Sequence, residues 1–204
     1  MKDIVIIGAG GHTRSSINLL KQSFKNASFE IYDDNFNSEI PEYINDIKIV
    51  GAISEIQKND TIFLSIGDNK KRKEYFTFFS NEILKDNLVH RTSHQEDNIK
   101  IGISNQIYAN VYINSYVVIG DNNIINTSVI IEHETKIGSH NHIAIGAKLS
   151  GRVTIGDNCF IGAGAIIIDK ISICDNVTIG AGSVVIRNIT ESGTYIGSPA
   201  RKIK

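Results

Sequence analysis

The sequence lacks a charge excess of either sign. Its 204 residues carry 21 basic and 22 acidic side chains, a formal net charge of −1. Binding nucleic acid or an anionic membrane through a surface field needs a basic excess, so neither partner is expected. A long apolar run is missing too. The stretch Ile4–Ile7 is too short for a signal peptide or a membrane span, and Gly8 ends it. Cysteine is scarce, with only Cys159 and Cys174. With no export signal, this predicts a cytoplasmic protein whose two thiols form no disulfide. Histidine is thinly spread. His133, His140 and His142 cluster, but no His follows in residues 151–204 to complete a zinc site, so no metal is expected.

What the sequence does have is a period of six. From Ile101 to Val185 every sixth residue is Ile, Leu or Val, fifteen times without a break. A helix repeats at 3.6 and a strand at 2.0, so neither alone gives this spacing. A chain that makes a short flat strand, turns a corner and repeats does give it, as in a parallel β-helix of hexapeptide repeats. Two residues before each aliphatic stand uncharged residues no larger than Ile, from Ile99 to Ser183. Strand alternation turns these inward as well. Gly often follows the aliphatic (Gly102, Gly120, Gly138, Gly156, Gly162, Gly180), and IGDN occurs at 119–122 and 155–158. These residues are expected to supply the positive φ that corners need. Three faces make eighteen residues per coil, and five coils at about 4.8 Å make a prism roughly 24 Å long.

The first 85 residues follow another pattern. Asp3–Ile7 reads as a buried strand, Gly8–His12 as a turn, and Ile17, Leu20 and Phe24 as the inner face of a helix. Phe29–Tyr32 is a second strand ending in Asp33 and Asp34. Thr61–Ile66 is a third, and Phe76, Phe79 and Ile83 mark another helix. The result is an α/β βαβαβ domain, half of a Rossmann-like unit. The expected boundaries are 1–86 for this nucleotide-sugar-binding domain, 87–98 for a connector, 99–190 for the β-helix and 191–204 for a C-terminal tail.

The turn Gly8-Ala-Gly10-Gly11-His12 opens a helix after a strand. There backbone N–H groups and the helix dipole favour a phosphate. Thr13 stands where a dinucleotide fingerprint would have its third Gly, and there is only one βαβαβ half. A nucleotide-sugar phosphate therefore fits better than NAD. Asp33, Asp34 and Gly67 fall at the same carboxyl edge of the sheet, where such folds bind ligands. Lys70, Lys71 and Arg72 open the next helix and could add cations or form a solvated face.

In the β-helix, His133 lies two residues past an inward aliphatic, so it leaves the core near a corner. Eighteen residues per coil places Gly151 beside it on the next coil, about 5 Å away. A group that can take a proton then sits next to a backbone N–H that no side chain screens. Acyl transfer needs such a pair, a general base and an oxyanion donor.

The segments Asn126-Thr-Ser-Val-Ile-Ile-Glu-His133-Glu134, Ser139-His-Asn-His142 and Gly146-Ala-Lys-Leu-Ser-Gly151, with the GAGGH turn and the Asp33-Asp34 pair, resemble the bacterial sugar O-acyltransferase and nucleotide amino-sugar N-acetyltransferase family. The resemblance covers essentially the whole chain. It implies a homotrimer of left-handed β-helices with active sites between neighbouring subunits, using acetyl-CoA. It implies His133 as general base and Glu134 as the carboxylate that orients it. Gly151 would bind the thioester carbonyl, and His142 would touch the acyl-CoA. Ala163 and Ala181 would line the pantetheine channel, and Asn126 would be a nearby polar contact. Gly10, Gly11, His12, Asp33, Asp34 and Gly67 would hold the nucleotide sugar.

The expected activity is N-acetylation of the 4-amino group of a nucleotide-linked 4-amino-4,6-dideoxyhexose, for bacterial surface glycan synthesis. Two alternatives are O-acetylation of a sialic-acid-like or polysaccharide hydroxyl, and a silent accessory protein that senses a nucleotide sugar.

Overall fold

The computed structural model describes residues 3–37, 39, 41–57 and 60–204. The chain divides into two compact units, Met1–Leu88 and Val89–Lys204.

The first unit is built on a five-stranded sheet. Its strands are β1 (Asp3–Ile7), β2 (Ser28–Tyr32), β3 (Tyr43–Ile44), β4 (Ile47–Gly51) and β5 (Thr61–Leu64), in the order β3-β4-β2-β1-β5. All pairs are parallel except β3 with β4. That hairpin turns through Asn45 and Asp46, both at positive φ (47° and 67°). β1 is buried over Ile4–Ile7, as a central parallel strand must be. Helix α1 (Gly11–Ser23) turns Ile17, Leu19 and Leu20 inward. Helix α2 (Asn69–Phe78) is shorter than the aliphatic spacing predicted. It ends before Ile83, which instead bridges to Ile62.

The second unit is a left-handed parallel β-helix. Its first face stacks the strands starting at His94, Tyr112, Ile130, Lys148, Ile166 and Val184. Its second stacks those at Lys100, Val118, Lys136, Thr154 and Ser172. Its third runs from Leu88–Val89 through Gln106, Ile124, His142, Phe160 and Val177 to Gly193–Ile196 and Arg201–Lys202. Neighbouring strands pair eighteen residues apart, as in Ile130↔Lys148. Of the fifteen aliphatics, all but Ile101 are buried.

The coiled structure starts earlier and ends later than the period of six shows. Leu88–Val89 and His94–Gln95, in the stretch expected to be a connector, already form coil strands, although Gln95 breaks the aliphatic run. After Val185 the repeat shortens to sixteen. Ile189 bridges to Ile173, and Tyr195 pairs with Ile179. The expected tail thus contributes two more strands to the third face.

The corners correct one expectation. The residues at positive φ are not the glycines after the aliphatics. They stand three residues after each aliphatic, at every sixth position from Asn98 to Gly182, including Tyr116, Glu134, His140, Arg152 and Lys170. Asn122 and Asn158 of the two IGDN segments belong to this set; Gly120 and Gly156 do not. Those glycines answer a different demand. A Cβ on Gly120 would lie 2.8 Å from the backbone C and O of Gly138, one coil on. Close stacking of coils, rather than backbone twist, requires them.

Inside the prism, Asn105, Asn123 and Asn141 form a ladder. Each Oδ1 accepts the backbone N–H one coil on, at 2.8, 2.8 and 2.7 Å, the last from Cys159. The carboxamide oxygens of these fully buried residues are thereby satisfied by the repeat itself. Cys159 and Cys174 are free thiols. Burial pushes the Cys159 thiol up to about 11. Among the described residues, no helix is long and apolar enough to cross a membrane.

Candidate active site

The first unit offers a cleft at the carboxyl edge of its sheet. Gly8 makes the turn, at φ 108° with its N–H on Tyr32 O at 2.9 Å. Thr13, at the place of the missing third glycine, is buried and donates to Gly8 O at 2.7 Å. Its hydroxyl closes the turn from within, which explains the departure from the fingerprint. Asp33 fixes the turn from the other side, because its Oδ2 accepts the Ala9 N–H at 2.8 Å. A Cβ on Gly10 or Gly11 would meet nothing within 4 Å. Helix α1 carries no side-chain cap at Gly10.

Ala9, Gly10, Asp33, Asn35, Phe36, Glu42 and Ile49 line a cleft of about 230 Å³. Of the residues expected to hold a nucleotide sugar, Gly10 and Asp33 thus line one cavity. Gly67 lies beside His12, with 3.8 Å between a Cβ on Gly67 and that of His12. Asp34 is engaged elsewhere. Its Oδ2 accepts from Tyr75 OH at 3.0 Å and pairs with Lys71 Nζ at 3.5 Å. Burial, then this hydrogen bond, push the Tyr75 hydroxyl up to about 12. Arg72 is no free cation, since it is fully buried and donates to Ile66 O and Gly67 O at 3.0 and 3.3 Å. Sequence reasoning missed Phe36, Glu42 and Ile49, because β4 and the loop before it carry no recognisable motif.

In the β-helix, the corner between the first and second faces stacks Ser115, His133, Gly151 and Asp169 in one column. The next column holds Tyr116, Glu134, Arg152 and Lys170. The backbone registers the columns: Arg152 N–H donates to His133 O at 2.9 Å, and Lys170 N–H to Gly151 O at 3.0 Å. The Cε1–Nε2 side of the His133 ring lies against Gly151. A Cβ there would come within 2.7 Å of both Cε1 and Nε2. His133 Nδ1 is 3.1 Å from Glu134 Oε2. The same oxygen accepts from Arg152 Nε at 3.0 Å. The hydrogen bond with His133 holds the Glu134 carboxyl below the usual glutamate range against desolvation, and the charge of Arg152 adds a smaller push the same way. An ionised carboxylate only accepts, so Nδ1 carries the proton and Nε2 presents its lone pair towards Gly151. Among the described residues, nothing accepts the Gly151 N–H.

Asn126 and His142 meet on a different part of the prism. His142 points outward from the third face and Asn126 opens the corner between the third and first faces. Their side chains are 3.2 Å apart. The His142 ring also meets Phe160 edge-on, 5.2 Å between centroids. Ala163 and Ala181 stack at the same corner as Asn126, exposed, each followed by a glycine at φ 66°. One chain therefore brings His133, Glu134 and Gly151 together, and separately groups Asn126 and His142 with the Ala163–Ala181 corner. The whole first face lies between the two sets. His140 sits at the remaining corner against Asn122, 2.9 Å between Nδ1 and Nδ2, so it does not join His142. Among the described residues, no group of three His, Cys, Asp or Glu could hold a metal ion.

Comparison with known proteins accords with both units. The family described as the PglD N-terminal domain matches residues 3–79. The bacterial transferase hexapeptide matches 134–169, and the hexapeptide repeat of succinyl-transferase matches 152–187. The chain thus joins a stretch similar to the PglD N-terminal domain to stretches similar to the hexapeptide repeats of bacterial transferases. The protein is an acetyltransferase.

Among solved structures similar to this acetyltransferase is a mutant of perosamine N-acetyltransferase from Caulobacter crescentus, in complex with CoA and GDP-perosamine. It is 27% identical with a TM-score of 0.90, covering 100% of this chain and 98% of that one. The acetyltransferase domain of PglB from Neisseria gonorrhoeae, in complex with acetyl coenzyme A, is 24% identical with a TM-score of 0.86, covering 99% of each chain. WeeI from Acinetobacter baumannii is 21% identical with a TM-score of 0.86, covering 100% of each. The last two likenesses concern the fold. No curated protein sequence matches the chain.

Proposed function

We propose that the protein transfers the acetyl group of acetyl-CoA to the 4-amino group of a nucleotide-linked 4-amino-4,6-dideoxyhexose, in bacterial surface glycan synthesis. The observation that carries this reading is the imidazole of His133 lying on Gly151 with its far nitrogen held by Glu134. The amine attacks the thioester carbonyl. His133 Nε2 accepts the proton that the new C–N bond makes acidic. Glu134 keeps the Nδ1 proton in place and stabilises the imidazolium. The Gly151 N–H receives the negative charge on the carbonyl oxygen of the tetrahedral intermediate. The C–S bond then breaks, and the thiolate leaves to be protonated. No covalent enzyme intermediate is needed.

Acetyl-CoA is assigned to the corner of Ala163 and Ala181, where alanine and glycine leave the backbone uncovered, with His142 and Asn126 at its edge. The nucleotide sugar is assigned to Gly10, Gly11, His12, Asp33, Asp34 and Gly67. The solved relative bound to CoA and GDP-perosamine supports both substrate classes, and its description as an N-acetyltransferase favours the amine over a hydroxyl. Because His133 and His142 occupy different corners of one prism, a complete site requires a second copy. We assign a homotrimer, in which the His133 corner of one subunit faces the Asn126–His142 corner of its neighbour.

The test is a panel of nucleotide 4-amino sugars with acetyl-CoA, followed by thiol release. The expected result is turnover with at least one, and a loss of about 10²–10⁴ in kcat for His133→Ala with little change in sugar affinity. Thiol release only with hydroxyl acceptors would establish O-acetylation instead. Binding of a nucleotide sugar without any turnover or acetyl-CoA binding would leave a sensing role.

A further inference from the structure

The Glu134 carboxylate serves two cations with one oxygen. His133 Nδ1 is 3.1 Å and Arg152 Nε 3.0 Å from the same Oε2. Arg152 does not hang there loosely. It stands one coil above Glu134 in the same column, at φ 58°, and its NH1 lies 3.9 Å from Asp169 Oδ1. Asp169 in turn pairs with Lys170 at 3.6 Å and lies 3.1 Å from the place of a Gly151 Cβ. The groups around the imidazole are thus Glu134 on its own coil, Arg152 on the next, and Asp169 and Lys170 beyond. On the coil below stand Ser115 and Tyr116, the latter with its N–H on Asp97 O at 3.4 Å. Glu132, the other neighbour of His133, is occupied by Asn114 Nδ2 at 2.6 Å.

A carboxylate that already carries a guanidinium on one oxygen has less negative charge to offer an imidazolium. We propose that Arg152 is a positioning residue that tunes His133 through Glu134, sharing the carboxylate so that the imidazole keeps its orientation while its cation is held less strongly. The proposal rests on the general-base reading of His133. It gives Arg152 a role in the turnover cycle: each transfer makes an imidazolium that must be discharged before the next, and Arg152 keeps that discharge from becoming slow. Lysine in its place would keep the positive charge but lose the flat Nε–H aimed at Oε2.

The experiment compares wild type, Arg152→Gln and Arg152→Lys by two measurements. The first needs no substrate: diethyl pyrocarbonate modifies neutral imidazole, and peptide mapping follows its rate at His133 against pH, with His133→Gln as the blank. The second is the acidic limb of kcat/KM with acetyl-CoA and the best amino sugar. Removing one unit charge about 5–6 Å from the ring in a solvent-exposed setting should move both midpoints up by roughly half a pH unit. Arg152→Lys should recover most of the shift. Activity of Arg152→Gln should fall near pH 6.5 and return towards wild type above pH 8. A loss of equal size at every pH, or a midpoint that stays or moves down, overturns the proposal. If the modification midpoint moves but no acceptor turns over, the tuning stands and the acetyl-transfer reading fails.

Discussion

Replacing Gly151 by alanine tests the site at its tightest point. Gly151 is not among the positive-φ residues, so its backbone accepts a side chain without strain. The nearest obstacle is the imidazole. A Cβ would stand 2.7 Å from Cε1 and Nε2 of His133 and 3.1 Å from Asp169 Oδ1. Ordinary carbon contacts begin near 3.5 Å, so the ring edge must retreat by about 0.8 Å. Retreat is cheap for folding, because the His133 side chain is 42% exposed and can swing outward. Alanine also restricts the unfolded chain, which favours the folded state by about 0.4–1 kcal/mol. The melting temperature should therefore stay level or rise slightly. Catalysis should suffer, since Nε2 is displaced and the hydrogen bond between Nδ1 and Glu134 is distorted. A misplacement of about 1 Å costs on the order of 10²-fold, or about 2.7 kcal/mol in the barrier. The assay is initial-rate thiol release for wild type, Gly151→Ala, His133→Ala and the double variant. On the His133→Ala background the glycine has no ring to displace, so most of its effect should vanish. Gly151→Ala at wild-type rate, or two losses that simply multiply, would refute the geometry on which the base assignment rests.

Gly120→Ala meets the Gly138 backbone at 2.8 Å besides the Ser139 hydroxyl at 2.5 Å, and should cost about 1–3 kcal/mol, read as a lower midpoint in urea denaturation. In the first unit, Gly8→Ala should destabilise the fold, because Gly8 sits at φ 108° and a Cβ would approach Ser65 O to 2.9 Å. Gly10→Val should fold normally, its Cβ being in open space, while raising KM for the nucleotide sugar and leaving acetyl-CoA affinity unchanged. An increase in the KM for acetyl-CoA alone would move the sugar-nucleotide site out of this unit.

The β-helix is legible in the sequence because its repeat imposes the same demand at each turn. One aliphatic every six residues also fixes which residue stacks on which, so the spacing alone pairs His133 with Gly151. The role of Gly102, Gly120 and their equivalents is not legible in this way, since glycine marks both a positive φ and a close approach of backbones, and sequence does not separate the two. The coils at 88–95 and after Val185 are hidden where Gln95 interrupts the aliphatics and the repeat contracts to sixteen. In the first unit, β3 and β4 escape notice, although Asn45-Asp46 is a turn signal. Residues 38, 40, 58 and 59 lie outside the described set. Arg152 is missed because an arginine at a corner looks like any solvated cation until the coil before it shows Glu134 beneath it.

Stacking at eighteen makes position in this enzyme a matter of counting by remainders. Every residue from Asn98 to Val185 has an address modulo eighteen, and His133 and Gly151 meet because they share one. Six extra residues inserted just after Glu134 would keep every inward aliphatic inward, and the prism would still close. They would also set Ile145 against the imidazole, and every later corner would turn by a third of a revolution. Hydrophobic patterning is blind to such a slip, whereas chemistry is not. Length variation around this corner is therefore confined to whole coils or to loops that leave the prism and return to the same address.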